Sequence, residues 1–350
     1  MGEDTLKTAV LGLNDKGRGL LEAARRSEYY EIRAVADADA ELAQRLAGRY
    51  ECEHYGDYRQ LIIQNHFDVL IVAAPSHTCD EHIRAAMEKK INVLKLAPAG
   101  PGFERAVQFV KIAESEGVKF GVVNLRRFAG SFNAARDYIK ENRLGQVYLI
   151  TAECAFAERS GEKWHSDPEL AGGGVLLYPS YEMVDRVVAC FSIPQQVYSL
   201  NLNRAPDKMQ RSLLTEELAV VTMAFGDRLI GNLIASEVFG PYEQVLRIYG
   251  ESGSLAVSDD RLIVCDRAGK VLEEFRYEYN EERLTIRLLD NFAAGILLPD
   301  EGRFCCGAID SLPTMAVIEA AYLSARTAMP EEPRRVLERG YPAAVDIWPA

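Results

Sequence analysis

Residues 6–17 read Leu6-Lys7-Thr8-Ala9-Val10-Leu11-Gly12-Leu13-Asn14-Asp15-Lys16-Gly17. A largely apolar run of strand length passes straight into a glycine-bounded turn, and residues 18–27 continue with helical spacing. Strand, tight turn and helix in that order open a dinucleotide-binding βαβ unit. The usual spacing is G-x-G-x-x-G, and here Asn14 stands at the second glycine. The first glycine makes the turn, and the last lets helix and strand pack closely. The middle one lets the backbone approach a pyrophosphate resting on the helix amino terminus. Asparagine tolerates positive φ but brings a side chain with it. Asp37 ends the next strand about twenty residues after Gly17, where the fingerprint requires an acid. A carboxylate there accepts hydrogen bonds from the adenosine ribose hydroxyls and repels a 2′-phosphate. Gly12, Asn14, Gly17 and Asp37 are therefore the candidate cofactor ligands, with NAD expected ahead of NADP. The competing reading is a plain strand–turn–helix with a solvated aspartate.

The pattern extends outward. Strands are expected at residues 6–13, 31–37, 69–73, 92–95 and 119–123, with helices at 18–27, 40–50, 79–89 and 102–117. Such alternation implies a parallel, doubly wound sheet. The unbroken Val69-Leu-Ile-Val-Ala-Ala74 is what a strand covered on both faces should look like. After about residue 125 the pattern changes. Strands at 147–154, 218–225, 229–237, 244–249, 254–258, 261–266 and 271–277 follow one another across short turns such as Gly226-Asp227. That is the signature of a mainly antiparallel sheet. Helices are expected at 130–142, 178–190, 284–297 and 311–326. The tail from Met329 holds four of the fourteen prolines and is expected to run extended. The predicted fold is α/β: a Rossmann domain over 1–124, then an α/β domain with an open sheet over 125–350.

The 350 residues carry a net charge of −12, which disfavours nucleic acid and anionic lipid as partners. No apolar run approaches the ~20 residues of a membrane helix, and the amino terminus has no secretory pattern. Seven cysteines without disulfide spacing suggest a reduced, cytoplasmic setting. His54, His66, His77 and His82 have no cysteine or carboxylate at metal-ligand spacing, so no metal site is expected. The adjacent Cys305 and Cys306 read as reduced packing residues.

Several segments give the chain a resemblance to the Gfo/Idh/MocA family of sugar and polyol dehydrogenases. Ala73-Ala-Pro-Ser-His77 is similar to the family's A-T-P-N-x-x-H turn. Asn92-Val-Leu-Lys-Leu-Ala-Pro98 stands where the family has H-V-L-C-E-K-P. Leu125-Arg-Arg-Phe128 resembles its N-x-R-F region. Trp164-His-Ser-Asp-Pro-Glu-Leu-Ala-Gly-Gly-Gly174 resembles the W-x-x-D-P-x-L-x-G-G-G before its catalytic helix. Phe225-Gly-Asp-Arg-Leu229 and Tyr249-Gly-Glu-Ser-Gly-Ser-Leu255 match its second-domain strands. The resemblance implies a nicotinamide lying in a cleft between two domains, with Ala74, Pro75, His77 and Pro98 joining the cofactor ligands. It implies a sugar- or polyol-like ligand near Arg127, Trp164 and His165. It also implies a homodimer or homotetramer formed through the open sheet.

The chain departs from the family at its catalytic positions. The lysine of E-K-P is Ala97, and the aspartate and histidine of the following helix are Tyr178 and Glu182. The histidine of the A-T-P-N-x-x-H turn is Cys79. Three readings follow. In one, an oxidoreductase uses replacement groups. Tyr178 and Glu182, four apart on the expected helix, would share a face. Lys95, two residues before Ala97 and ~6.6 Å back along the strand, would reach forward into the vacated space. In the second, the protein binds NAD(H) and a sugar without turnover, as a sensor or partner subunit. In the third, the cofactor serves lyase, hydrolase or epimerase chemistry. Each candidate has a plainer reading as well. Tyr178 and Glu182 would be ordinary residues at a helix start, Lys95 would snorkel past the strand end, His165 would be a solvated loop residue, and Arg127 would pair with an acid.

Overall fold

The computed structural model describes residues 5–156, 162–207, 209, 213–238, 240–298 and 304–343. The chain divides into two compact units, Met1–Gly100 with Arg105–Leu125 and Asn280–Asp310, and Pro101–Glu104 with Arg126–Tyr279 and Ser311–Ala350.

The first unit is the doubly wound sheet expected from the opening stretch. Its elements are β1 (Leu6–Leu11), α1 (Asp15–Arg26), β2 (Tyr30–Ala36), α2 (Ala40–Tyr50), β3 (Glu53–Tyr55), α3 (Tyr58–Gln64), β4 (Val69–Val72), α4 (Ser76–Glu88), β5 (Asn92–Leu96), α5 (Phe103–Glu116) and β6 (Phe120–Val123). The six strands are all parallel, in the order β3-β2-β1-β4-β5-β6. The order reverses at β1 and β4, the switch point beyond whose carboxyl ends such sheets bind ligands. Every residue of β4 is buried, as its apolar run demands. The short β3 and α3 were not foreseen. Glu53-His-Tyr55 is a three-residue edge strand with no apolar run to betray it.

The chain returns to this unit after its excursion. The helix Glu281–Leu297 packs on α1 through the ion pairs Lys16–Glu281 and Arg26–Glu282. The Ser27 hydroxyl donates to Asp290 at 2.6 Å. The Cys306 carbonyl then accepts from the Val122 N–H at 2.9 Å, at the β6 edge. A single boundary at 124/125 assigns these residues to the second domain. Periodicity reveals a helix with an apolar face, but not which core that face joins.

The second unit contains α6 (Gly130–Lys140), β7 (Val147–Ala155), α7 (Pro168–Ala171), α8 (Tyr181–Phe191), β8 (Gln196–Leu202), β9 (Leu218–Ala224), β10 (Ile230–Ser236), β11 (Glu243–Gly250), β12 (Gly253–Val257), β13 (Arg261–Cys265) and β14 (Val271–Arg276). The helices Ala308–Thr327, whose first residues belong to the first unit, and Pro333–Gly340 complete it. Its eight strands run β14-β13-β12-β11-β7-β10-β9-β8, antiparallel throughout except at β7–β10. One face is buried, with Val197, Val221, Met223, Leu233 and Ile248 on it. Tyr198, Leu200 and Ile230 stand exposed on the strands.

Two expectations for this unit need correction. Residues 333–340 of the tail form a helix rather than an extended run. Pro333 sits in the first turn, where a missing N–H costs nothing, and it is buried together with Leu337 one turn on. The helix expected from residue 178 starts at Tyr181. Residues 175–180 form a turn whose first amides are held from outside: the Val175 N–H by the Glu216 carbonyl, the Leu176 N–H by the Glu216 carboxylate.

Candidate functional site

In the first unit, Gly12 has φ +91, and a Cβ there would lie 2.4 Å from the Ala74 nitrogen. A Cβ on Gly17 would lie 2.0 Å from the Gly12 carbonyl oxygen. Both glycines are thus fixed by close approach, and Ala74-Pro75 forms the other wall of the turn. Asn14 does not use positive φ. It is extended, at φ −61 and ψ 178, and caps α1 by accepting from the Gly17 N–H at 2.9 Å. Its Nδ2 donates to the Ala73 carbonyl at 2.9 Å. Asparagine replaces glycine by tying the β1 turn to the β4 end, at the positive end of the α1 dipole.

Asp37 accepts from the Leu13 N–H at 2.6 Å and from the Asp39 N–H at 2.9 Å. One amide engages each oxygen, so lone pairs remain on both for further donors. Tyr58 is a neighbour that the sequence did not flag. Burial and the Asp37 charge push its phenol up to about 12, and the Ala38 amide opposes them. His77 is exposed in the first turn of α4, whereas Ala74 and Pro98 are buried.

Lys95 lies inside this unit, 3% exposed. Its Nζ reaches past Ala97, donating to the Pro98 carbonyl at 2.8 Å and to that of Leu96 at 3.1 Å. Burial lowers its proton affinity, while the Cys79 and Asp80 charges oppose the shift.

In the second unit the structure gathers Trp164, His165 and Tyr178. The indole and imidazole stack with centroids 3.7 Å apart. Tyr178 meets His165 edge-on at 5.1 Å and Trp164 at 5.5 Å. The Tyr178 hydroxyl donates to the Ala171 carbonyl at 2.6 Å. All three rings are half-buried and present both apolar faces and polar edges.

Glu182 does not join them. With Tyr178 in the turn and Glu182 in the first turn of α8, the shared helix face does not exist. Glu182 instead pairs with Arg126, whose guanidinium also takes both Asp259 oxygens at 2.7 and 2.8 Å and the Tyr242 hydroxyl at 2.8 Å. Burial would weaken Arg126's hold on its proton, but Asp259 and Glu182 more than restore it. Next to this cluster, Arg186 is buried with its guanidinium carbon 3.4 Å from the Phe132 ring centre. Burial first, then Arg126, lowers its value to about 10. Arg127 makes a bidentate pair with Asp185 at 2.8 and 2.5 Å, and Asp185 also accepts from Thr314. That geometry is the acid-pairing reading of Arg127. Arg126 is not legible in the sequence, because nothing in Arg126-Arg127 says which one meets which acid.

Among the described residues, no group of three or more His, Cys, Asp or Glu side chains is placed to hold a metal ion. Cys52, Cys79, Cys154, Cys190 and Cys265 are free thiols. No helix among the described residues is long and apolar enough to cross a membrane.

Two family models match the chain. One, described as the oxidoreductase family with an NAD-binding Rossmann fold, matches residues 6–124, and the GFO/IDH/MocA C-terminal domain matches residues 132–256. The chain belongs to the Gfo/Idh/MocA oxidoreductase family. Members of the family are oxidoreductases, and its relatives include sugar and inositol dehydrogenases. An oxidoreductase of Schizosaccharomyces pombe is 27% identical over 202 residues, 55% of this chain and 54% of that protein. The match therefore spans about half of that relative. A 2,7-anhydro-N-acetylneuraminate hydratase of Mediterraneibacter gnavus is 23% identical over 79% of this chain and 72% of its own length. The WlbA dehydrogenase of Bordetella pertussis, solved with NADH and UDP-GlcNAcA, superposes with a TM-score of 0.79 at 18% identity. The match covers 94% of this chain and 98% of WlbA. Both NAD and NADP are named as cofactors among the family's similar members.

Proposed function

We propose that this chain binds NAD(H) on its first unit and acts as an oxidoreductase on a sugar, cyclitol or related polyol. The observation that carries the cofactor half is the Gly12–Gly17 turn with Asp37 already oriented at its side. A side chain on Gly12 would collide with the Ala73–Ala74 backbone, so only glycine keeps this turn tight, and the Asp37 carboxylate keeps lone pairs for two ribose hydroxyls. Gly12, Asn14, Gly17, Ala74, Pro75, His77 and Pro98 would hold the rest of the dinucleotide. The same carboxylate would repel a 2′-phosphate, which favours NAD over NADP. When bound, the nicotinamide supplies the hydride acceptor or donor.

The sugar half rests on Trp164, His165 and Tyr178. Flat rings with polar edges suit a ligand that alternates C–H faces and hydroxyls. His165 brings an imidazole, the group best suited to move a proton near neutral pH. The Tyr178 oxygen would accept a hydrogen bond from a ligand hydroxyl while its own O–H donates to the Ala171 carbonyl. Glu182 holds Arg126, and Lys95 and Arg127 support the turns around them. We assign the open sheet face to a second copy of the chain.

One observation favours the second reading, binding without turnover. Ala97 has no proton to move. Tyr178, Glu182 and Lys95 each already hold a protein partner. Calorimetry with NAD(H) and NADP(H), followed by nicotinamide absorbance with myo-inositol and D-glucose, separates the readings. Binding with an absorbance change supports the enzyme, and binding without one supports the sensor. If neither dinucleotide binds, the proposal falls.

A further inference from the structure

Thr215, Glu216 and Glu217 are consecutive polar residues just before β9, and each is less than a tenth exposed. Burying such groups is costly unless they are hydrogen-bonded. The Glu216 carboxylate accepts from the Gly174 N–H at 2.9 Å, the Leu176 N–H at 3.0 Å and the Tyr322 hydroxyl at 2.8 Å. Its backbone carbonyl accepts from the Val175 N–H at 3.1 Å. The Thr215 hydroxyl donates to the His165 carbonyl at 2.7 Å, and its N–H donates to the Ser166 carbonyl at 3.1 Å.

One short segment therefore grips two separate turns. Glu216 holds the turn that carries Tyr178, and Thr215 holds the turn that carries Trp164 and His165. The glycines match this. A Cβ on Gly174 would lie 2.0 Å from the Glu216 carbonyl oxygen, and one on Gly173 would lie 2.2 Å from the Tyr322 hydroxyl. The Gly-Gly pair is there to let the clasp in. The ion-pair partners of Arg126 and Arg127 lie elsewhere, on α8 and in the β12–β13 turn.

We infer that Glu216, with Thr215, is a positioning residue that sets the Trp164–His165–Tyr178 group for its ligand. The ligand half of this inference rests on the proposed sugar-binding role, but the positioning half does not. The chain's two tryptophans make it testable without activity. In a Trp348→Phe background, Trp164 is the sole indole. Glu216→Gln puts an amide NH2 against an N–H donor, and Thr215→Val deletes the bond to His165. Both should shift Trp164 emission to the red and raise its acrylamide quenching at least twofold. Dinucleotide affinity should stay within twofold, and affinity for whichever of myo-inositol or D-glucose binds should fall at least tenfold. Tyr322→Phe keeps both backbone bonds and should leave the emission near wild type. Unchanged emission and quenching in folded Thr215→Val and Glu216→Gln would overturn the inference. If Glu216→Gln does not fold, Thr215→Val decides alone. If emission shifts but the wild type binds no sugar, the clasp is supported and the proposed ligand class falls.

Discussion

At the scale of single residues, the proposed cofactor ligands can be tested apart from the proposed replacements for the catalytic groups. Asp37 is set by two backbone amides, so its removal leaves the Leu13 N–H without this acceptor, and its part in binding is read on variant protein that is shown to be folded. Asp37→Ala loses charge-assisted hydrogen bonds worth about 1.5–3 kcal/mol, a fall of roughly 10- to 100-fold in NAD(H) affinity by calorimetry. Affinity for NADP(H) should fall less or rise, because the repulsion of the 2′-phosphate goes with the carboxylate. An equal loss for both cofactors would show that Asp37 does not discriminate. Lys95 allows a test with pH. Burial lowers its folded-state proton affinity below the unfolded lysine value of about 10.4. A depressed folded value means that the stability lost to the buried charge returns as pH rises toward the unfolded value. Relative to Lys95→Met, the wild type should therefore gain stability as pH rises toward the unfolded lysine value in urea melts. A flat difference would mean that the ammonium is not buried as a charge. These residues also show where the sequence stops. Asp37 and Gly12 were legible because a fingerprint fixes their spacing. Glu216 was not, since Glu216-Glu217 in a loop looks like solvated acid until Gly174, Leu176 and Tyr322 are brought to it.

At the scale of elements, the strands were read well where burial is simple. β4 is covered on both faces and reads as one apolar run, whereas β3 and β8 gave no such signal and were missed. The start of α8 was misjudged for a different reason. Apolar spacing continues through Val175-Leu-Leu177, but tertiary bonds from Glu216 claim the amides there, and the helix waits for Tyr181. The helix is then held at its first turns by Arg126–Glu182 and Arg127–Asp185. Glu182 and Asp185 side chains are 17% and 2% exposed, so these pairs behave as buried ones. Breaking a buried pair by removing one partner costs about 3–5 kcal/mol. Arg126→Met should fall at the lower end, since 11% of its side chain remains exposed. Arg126→Met with Glu182→Gln should recover part of that loss, because Glu182 then no longer carries a charge facing the lost guanidinium, while Asp259 keeps Arg186 at 3.5 Å. Urea melts of the four proteins in the cycle measure the coupling. Purely additive losses would show that Glu182 does not hold Arg126 and would return it to the acid–base candidates.

At the scale of the whole molecule, one sheet face of the second unit carries large apolar side chains that are exposed among the described residues. The strand register places Tyr198, Leu200 and Val220 together with Ile230 and Tyr249 on this face. Their exposures of 36%, 61%, 37%, 57% and 38% are high for large apolar side chains standing side by side. Contiguous apolar area on a soluble protein marks an interaction surface. A flat sheet face can meet its own copy across a two-fold axis, each side offering the same residues. A stable interface of this kind buries about 800 Å² per partner, within reach of an eight-stranded sheet. The chain should therefore run as a dimer or tetramer in light scattering at micromolar concentration. Leu200→Glu with Ile230→Glu places like charges against each other and should yield monomers that still bind NAD(H), because the dinucleotide residues belong to the other unit. A wild-type monomer, or a charged variant that assembles as before, would show that this face serves something other than a second copy.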